Sequence, residues 1–250
     1  MISGYTVVRN GVQFDYCFPE TILSLLGVCD EVVACDSDST DSTRAVLDDM
    51  AMRHNKLRVI NRPFVEPGHN DKWVVEWMNF TRGTLSHENQ LYLDADEVIG
   101  PDTHARIREA DKKGECLWFD RINFWRDPQH YAEEGYVCGR FVARFGPTRC
   151  FMPADDLYPG CEPEIKVRAV KHPSLQIHHY GFLRRNQAFI DKSRFLQPVL
   201  LGTFDPRIES AGELGLKWVD ECPPHFKLLE YRGAHPAVIR PWLKERGHAP

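Results

Sequence analysis

The sequence has no run of eighteen or more apolar residues, so no stretch is long enough to cross a bilayer as a helix. It has no C-x-x-C pair: the eight cysteines stand singly, at 17, 29, 35, 116, 138, 150, 161 and 222, which argues against a zinc site. Met1-Ile2-Ser3-Gly4-Tyr5 lacks the charged and apolar regions of a secretion signal. The cysteines therefore read as reduced thiols, several of them buried, and the expected setting is cytoplasmic. Neither G-x-G-x-x-G nor G-x-x-x-x-G-K-[ST] occurs, which removes support for the usual dinucleotide loop and for a P-loop. There is no internal repeat and no low-complexity segment. A nucleotide bound here would have its diphosphate neutralised by metal and basic side chains.

What is present suits a globular enzyme. The 250 residues are 42% hydrophobic and 27% charged, with a net charge of -5. That total hides an asymmetry. Residues 1–100 hold 8 Lys and Arg against 16 Asp and Glu, whereas residues 140–194 hold 10 against 5. A basic second half suits an anionic group, although an uneven solvated surface gives the same count.

The first hundred residues alternate between strand and helix patterns. Tyr5-Thr6-Val7-Val8 reads as a buried strand ended by Arg9-Asn10-Gly11, and Pro19 to Leu26 as an amphipathic helix capped by Gly27. Glu31 to Cys35 is a second strand, ending in Asp36. Ser37-Asp38-Ser39-Thr40-Asp41-Ser42-Thr43 then starts a helix, and Asp41 reads as a carboxylate at its N-terminus. Leu57 to Ile60, a helix through Trp77 and Met78, and a strand at Leu91 to Leu93 complete the series. Such alternation predicts right-handed crossovers and a mainly parallel, Rossmann-like α/β sheet covered on both faces.

Leu93-Asp94-Ala95-Asp96-Glu97 closes that series with three carboxylates in four residues. Alternation along a strand would put Asp94 and Asp96 on one side, as two hard oxygen donors suited to Mg²⁺ or Mn²⁺. An acidic surface turn is the plainer reading. Ligands in such sheets gather beyond the carboxyl ends of the strands, and Arg9-Asn10, Asp36 and Asp94/Asp96 would converge there. This convergence favours an active site.

In that order, Val7-Val8-Arg9-Asn10, Asp30 through Thr43, Asn79, Leu93 through Glu97 and Ile177-His178-His179-Tyr180-Gly181 resemble the inverting GT-A glycosyltransferases of the large family two. The resemblance is good over residues 3–100, patchy over 137–195 and absent beyond 205. It implies a GT-A domain over residues 1–202, with 1–100 as the nucleotide-sugar half, 101–202 as the acceptor half, and 203–250 as a C-terminal extension. It also implies a nucleotide-sugar pocket lined by Val8, Arg9, Asn10, Asp38, Asn79 and Ala95, with Asp36 on the base, expected to be uracil. Asp94 would meet the ribose or the metal's water, Asp96 would ligate Mn²⁺ or Mg²⁺, and Asp94 and His179 are the further candidate ligands. The family often has Gly where this chain has Asp38.

The second half is expected to supply the acceptor side. Cys116 to Trp125 and Val137 to Phe145 read as strands, with Arg126 to His130 as a loop between them. The Pro/Gly-punctuated stretch from Asp155 to Glu164 holds four carboxylates, and loops of this kind often carry catalytic groups. The family's base falls in this region. Glu164 in Pro163-Glu164 is the first candidate, ahead of Asp156 and Glu162. Arg184 and Arg185 follow as diphosphate candidates, or as a solvated helix start. Asn186 to Gln197 reads as a helix stopped by Pro198, and Pro236 to Lys244 as a weak helix kinked or split by Pro241.

The leading expectation is transfer of a sugar from a nucleotide sugar, a UDP-sugar first, to an acceptor hydroxyl with inversion. A sugar-1-phosphate nucleotidyltransferase is the alternative enzyme, although Arg9-Asn10-Gly11 is a poor version of its Gly-rich basic loop. A non-catalytic nucleotide-sugar-binding protein is the third reading, and the intact Asp94, Asp96 and Glu97 argue against it. A glycan or lipid-linked acceptor with an anionic group fits the basic segment, with nucleic acid the lesser option.

Overall fold

The computed structural model describes residues 1–64, 73–132, 142–147, 169–201 and 227–248. β1 (Ile2–Val8) is buried throughout, sending Ile2 and Val8 to one face of a sheet and Tyr5 and Val7 to the other. It is followed by α1 (Phe18–Leu26), β2 (Glu31–Asp36), α2 (Thr43–Arg53), β3 (Leu57–Asn61), α3 (Trp73–Arg82) and β4 (Asn89–Tyr92). The four strands pair in parallel in the order β3-β2-β1-β4.

Two apolar layers hold this sheet. Ile22 and Leu25 of α1 and Leu47 of α2 pack with Val32 and Ala34 on one face. Trp77 and Met78 of α3 pack with Tyr5, Val33 and Cys35 on the other. Each fully buried Ile or Leu in these layers contributes about 1.5–3 kcal/mol relative to exposure. The expected α/β class, with helices on both faces, is the one the chain adopts.

The acidic tip departs from its expected form. β4 ends at Tyr92, and a turn through Asp94 and Asp96 leads into β5 (Glu97–Ile99), so strand alternation does not set where the two aspartates point. A 3-10 turn and α4 (His104–Lys113) follow, the helix closing on Gly114 at φ 64, the left-handed region open to glycine. β6 (Cys116–Trp125) matches its expected span.

Residues 126–130 are not a loop. Asp127 to Ala132 form β7, antiparallel to β6 across a tight link in which Arg126 holds φ 70. β8 (Val142–Pro147) joins β4 to β6, so the sheet turns antiparallel beyond β4. The earlier part of the expected strand, 137–141, lies outside the described residues.

β9 (Ala169–Phe182) runs parallel to β6 and antiparallel to β5, pairing Glu97 with His179 and Val98 with His178. That pairing brings the acidic turn beside the His-Tyr-Gly segment. α5 (Asn186–Leu201) continues past Pro198, which gives up one backbone bond without ending the helix.

β10 (Leu228–Glu230) extends the sheet by pairing with β7. A 3-10 turn at Ala237–Ile239 and α6 (Arg240–Glu245), with Pro241 in its first turn, replace a continuous helix, as Pro241 foretold. Trp242 and Leu243 bury against Val98 and Tyr180. His178 Nε2 meets the Tyr231 hydroxyl at 2.8 Å, and the Tyr180 hydroxyl meets His235 Nδ1 at 2.9 Å, so residues 227–248 are stitched into the same body.

Candidate active site

The C-terminal ends of β1, β2 and β4 carry the polar groups, as the strand order requires. At the β1 end, one Arg9 nitrogen donates to the Ser37 carbonyl and to the Asp38 carbonyl at 2.6 Å, and its guanidinium lies 3.6 Å from the centroid of the Phe64 ring. The Asn10 amide donates to Ser39 Oγ at 2.9 Å, and Asn10 Oδ1 accepts the Thr40 amide at 2.8 Å. Asp36 Oδ1 accepts the Ser39 amide and hydroxyl at 3.2 and 2.5 Å. Val8, Arg9, Asn10 and Asp36 are thus gathered at one edge, with the aromatic face of Phe64 beside them.

Asp38 serves this loop rather than pointing from it. Its carboxylate accepts Asn61 Nδ2 at 2.9 Å and the Phe64 amide at 2.8 Å. Its φ of 49 lies in the left-handed region, which Asp tolerates and Gly adopts freely; this accounts for glycine being acceptable at such a position. Asp41 accepts the Thr43 amide at 2.9 Å and the Gln13 amide at 2.7 Å, a cap at the start of α2 that also ties down the 10–16 loop. Asn79 is exposed on α3 and accepts from Arg82 at 3.2 Å; it is not brought to this edge.

The turn after β4 separates its three carboxylates. Glu97, fully buried, accepts the Asp94 amide at 2.8 Å and faces Arg121 Nε at 2.8 Å, so it braces the turn. Asp94 accepts from the Tyr92 hydroxyl and lies 3.6 Å from Arg121. Ala95 packs into the main core. Asp96 is the inward residue: its carbonyl accepts the Tyr180 amide at 2.9 Å, and its side chain is 8% exposed.

Around Asp96 stand three nitrogen groups. Arg184 donates to Asp96 Oδ2 at 2.7 Å, and also to the carbonyls of Gly181 at 2.6 Å and Phe14 at 3.0 Å. With 1% of its side chain exposed, Arg184 is a buried brace for Asp96, not the solvated helix start. Lys192, from α5, brings its ammonium to 3.6 Å from Asp96 Oδ2 and 4.9 Å from the Tyr16 ring centroid. His179 Nε2 lies 3.5 Å from Asp96 Oδ1, and its buried Nδ1 has no hydrogen-bond partner. Gly181 makes this approach possible, since a Cβ there would meet His179 Nε2 at 2.5 Å and Asp96 Oδ2 at 2.9 Å.

The ionisation states follow from these contacts. Burial alone would raise the Asp96 carboxyl, but His179 first, then Lys192 and Arg184, outweigh that and hold it below the usual range. Burial, reinforced by the Arg121 charge, lowers His179 to about 4, so its ring is neutral near pH 7. Burial and the Arg184 charge push Lys192 down to about 8. A carboxylate facing an imidazole is a donor pair suited to a divalent ion of the Mn²⁺ type. Among the described residues, no group of three or more His, Cys, Asp and Glu side chains gathers to hold a metal. Asp94 faces Tyr92 and Arg121.

Glu164, Asp156 and Glu162, the candidates for the base, lie outside the described residues. Lys192, Arg121, Tyr16 and Phe64 were not singled out by the sequence. Only the place of Arg121 on a strand whose alternate residues are apolar offered a signal. His178, adjacent to His179 on β9, points the opposite way, into the cluster with Phe124 and Tyr231.

No family model matches the sequence, and no curated protein matches it. Solved structures resemble the chain at a distance. TarS 1-349 of S. aureus is 13% identical over 86% of this chain and 69% of its own, with a TM-score of 0.45. The mannosyltransferase PcManGT of Pyrobaculum calidifontis, in complex with GDP-Man and Mn²⁺, is 13% identical over 88% and 73%, at 0.49. GalNAc-T7 with UDP, GalNAc and Mn²⁺ is 13% identical over 89% and 56%, at 0.47. None reaches a TM-score of 0.5, so the chemistry rests on the site itself.

Proposed function

We propose that this chain transfers a glycosyl group from a nucleotide-sugar donor to an acceptor hydroxyl, with inversion and with help from a divalent ion. One observation carries the reading. At the C-terminal edge of a parallel sheet, Asp96 and His179 face each other at 3.5 Å, an approach that the absence of a side chain at Gly181 permits. The pair would hold one divalent ion. Such an ion neutralises charge on the diphosphate as the glycosidic bond breaks.

The protein's own groups divide the remaining tasks. Arg9, Asn10 and Asp36 edge the nucleoside end, with Phe64 offering an aromatic face. Asp94 stands between that end and Asp96, within reach of a ribose. Arg184 fixes the orientation of Asp96. A carboxylate from the 155–164 stretch, Glu164 first, removes the acceptor proton from the face opposite the leaving group, which inverts the anomeric centre. A UDP-sugar is the first donor to try, and an anionic glycan or lipid-linked hydroxyl the first acceptor.

Incubating the protein with Mn²⁺ and separate nucleotide sugars tests this reading. Slow release of nucleoside diphosphate from one donor, stopped by EDTA and restored by Mn²⁺, is the expected result. Pyrophosphate release instead would assign the nucleotidyl class, and tight binding without turnover would leave a binding protein.

A further inference from the structure

Lys192 and Arg184 both face Asp96, yet they are held differently. Arg184 is locked, with three donated bonds and 1% side-chain exposure. Lys192 stands 3.6 Å from Asp96 Oδ2, beyond hydrogen-bond distance, with 25% of its side chain exposed and its ammonium 4.9 Å from the Tyr16 ring centroid. It reaches the carboxylate on a flexible four-carbon stem from the second turn of α5, a tether that allows movement while the helix stays fixed.

The local charges also balance. Among the described residues, the carboxylates of Asp94, Asp96 and Glu97 meet the cations Arg121, Arg184 and Lys192, three charges of each sign. A divalent ion entering alone at Asp96 and His179 would leave two uncompensated positive charges beside Lys192. A nucleotide-sugar diphosphate carries two negative charges and restores the balance. We propose, resting on the glycosyltransferase reading, that Lys192 is a resident counter-ion of Asp96 that makes ion and donor binding interdependent. It opposes the ion in the absence of donor and turns to the diphosphate when both are bound.

The consequence is a pair of effects of opposite sign, which a merely structural lysine would not produce. In Lys192→Met, Mn²⁺ alone should bind about tenfold more tightly, because a like charge has been removed from its site. UDP in the presence of Mn²⁺ should bind about tenfold more weakly, because one charged contact has been lost. Lys192→Arg should retain the wild-type coupling, and uridine, which has no phosphate, should bind both proteins alike.

The measurement is the loss of the free Mn²⁺ electron-paramagnetic-resonance signal on titration with the whole chain, with and without UDP and with Mn²⁺–UDP mixtures as the reference. UDP affinity would be followed in parallel by calorimetry. Opposite shifts in Lys192→Met support the proposal. If both affinities fall together, or neither changes, while the wild type binds Mn²⁺ and UDP, the proposal is overturned and the glycosyltransferase reading survives. If the wild type binds neither Mn²⁺ nor any nucleoside diphosphate (UDP, GDP, ADP, CDP or dTDP), both are overturned.

Discussion

Replacing Asp96 by Asn tests whether the Asp96–Arg184 pair supports the fold as well as the chemistry. The substitution leaves the shape almost unchanged and removes the charge facing Arg184, whose side chain is 1% exposed against 8% for Asp96. Arg184 would keep its bonds to the carbonyls of Gly181 and Phe14, but a buried guanidinium would lack a counter-ion. Breaking a buried pair from one side costs about 3–5 kcal/mol. The lower end applies, because an Asn oxygen can still accept from Arg184, so about 3 kcal/mol is expected. At roughly 2–4 °C per kcal/mol for a chain of this size, the melting temperature should fall by about 6–12 °C. Arg184→Met should cost less, since Lys192 and His179 still face Asp96. The double variant Asp96→Asn with Arg184→Met should recover roughly 1–3 kcal/mol relative to the sum of the singles. Urea unfolding of the four proteins measures that coupling. If the two losses simply add, or Asp96→Asn melts with the wild type, Arg184 is not the partner that holds this turn.

Gly181→Ala should destabilise by about 1–3 kcal/mol, because the new methyl must displace a packed imidazole and a buried carboxylate. It should also abolish Mn²⁺ binding read by paramagnetic resonance, whereas Gly83→Ala, whose Cβ would come no closer than 3.4 Å to Phe80 O, should leave that binding intact. Asp15 gives the pH test. Burial would raise its carboxyl, but Arg246 and Arg185 hold it below its ordinary 3.8. A depressed folded value means that its stabilisation is complete above 3.8 and is lost as pH falls through the lower folded value. Arg246→Met should therefore cost about 3 kcal/mol at pH 7, and the gap from wild type should narrow as the pH falls below the ordinary 3.8 of the carboxyl, as read from urea midpoints. A gap of constant size across that range would contradict the assignment.

The parallel half was legible because its strands are buried on both faces and its helices carry apolar stripes. Val32-Val33-Ala34-Cys35 and the spacing of Ile22 with Leu25 needed no tertiary information. The misreadings share a physical cause, which is that local signals lost to pairing. Asp127-Pro128 looks like a turn, yet β6 and β10 supply partners on both sides and the reversal falls one residue earlier, on an Arg with positive φ. Asp94 and Asp96 looked like neighbours on one strand face, but the strand ends at Tyr92.

The site was legible in its residue types more than in its partnerships. Asp36, Asp96 and His179 could be singled out from sequence, but the link between Arg184 and Asp96 joins positions 88 apart. No spacing rule encodes it. It arises because Glu97 pairs with His179 across β5 and β9, which fixes where Gly181 turns the chain and hence where Arg184 and Lys192 arrive. The same pairing explains why two adjacent histidines have different surroundings: His178 meets Tyr231 in the C-terminal cluster while His179 faces Asp96. A substitution that slipped β9 by one residue would turn each of its side chains to the opposite face. In one direction His178 would take the place of His179 beside Asp96; in the other Tyr180 would, and the donor pair would vanish without the loss of any of its residues.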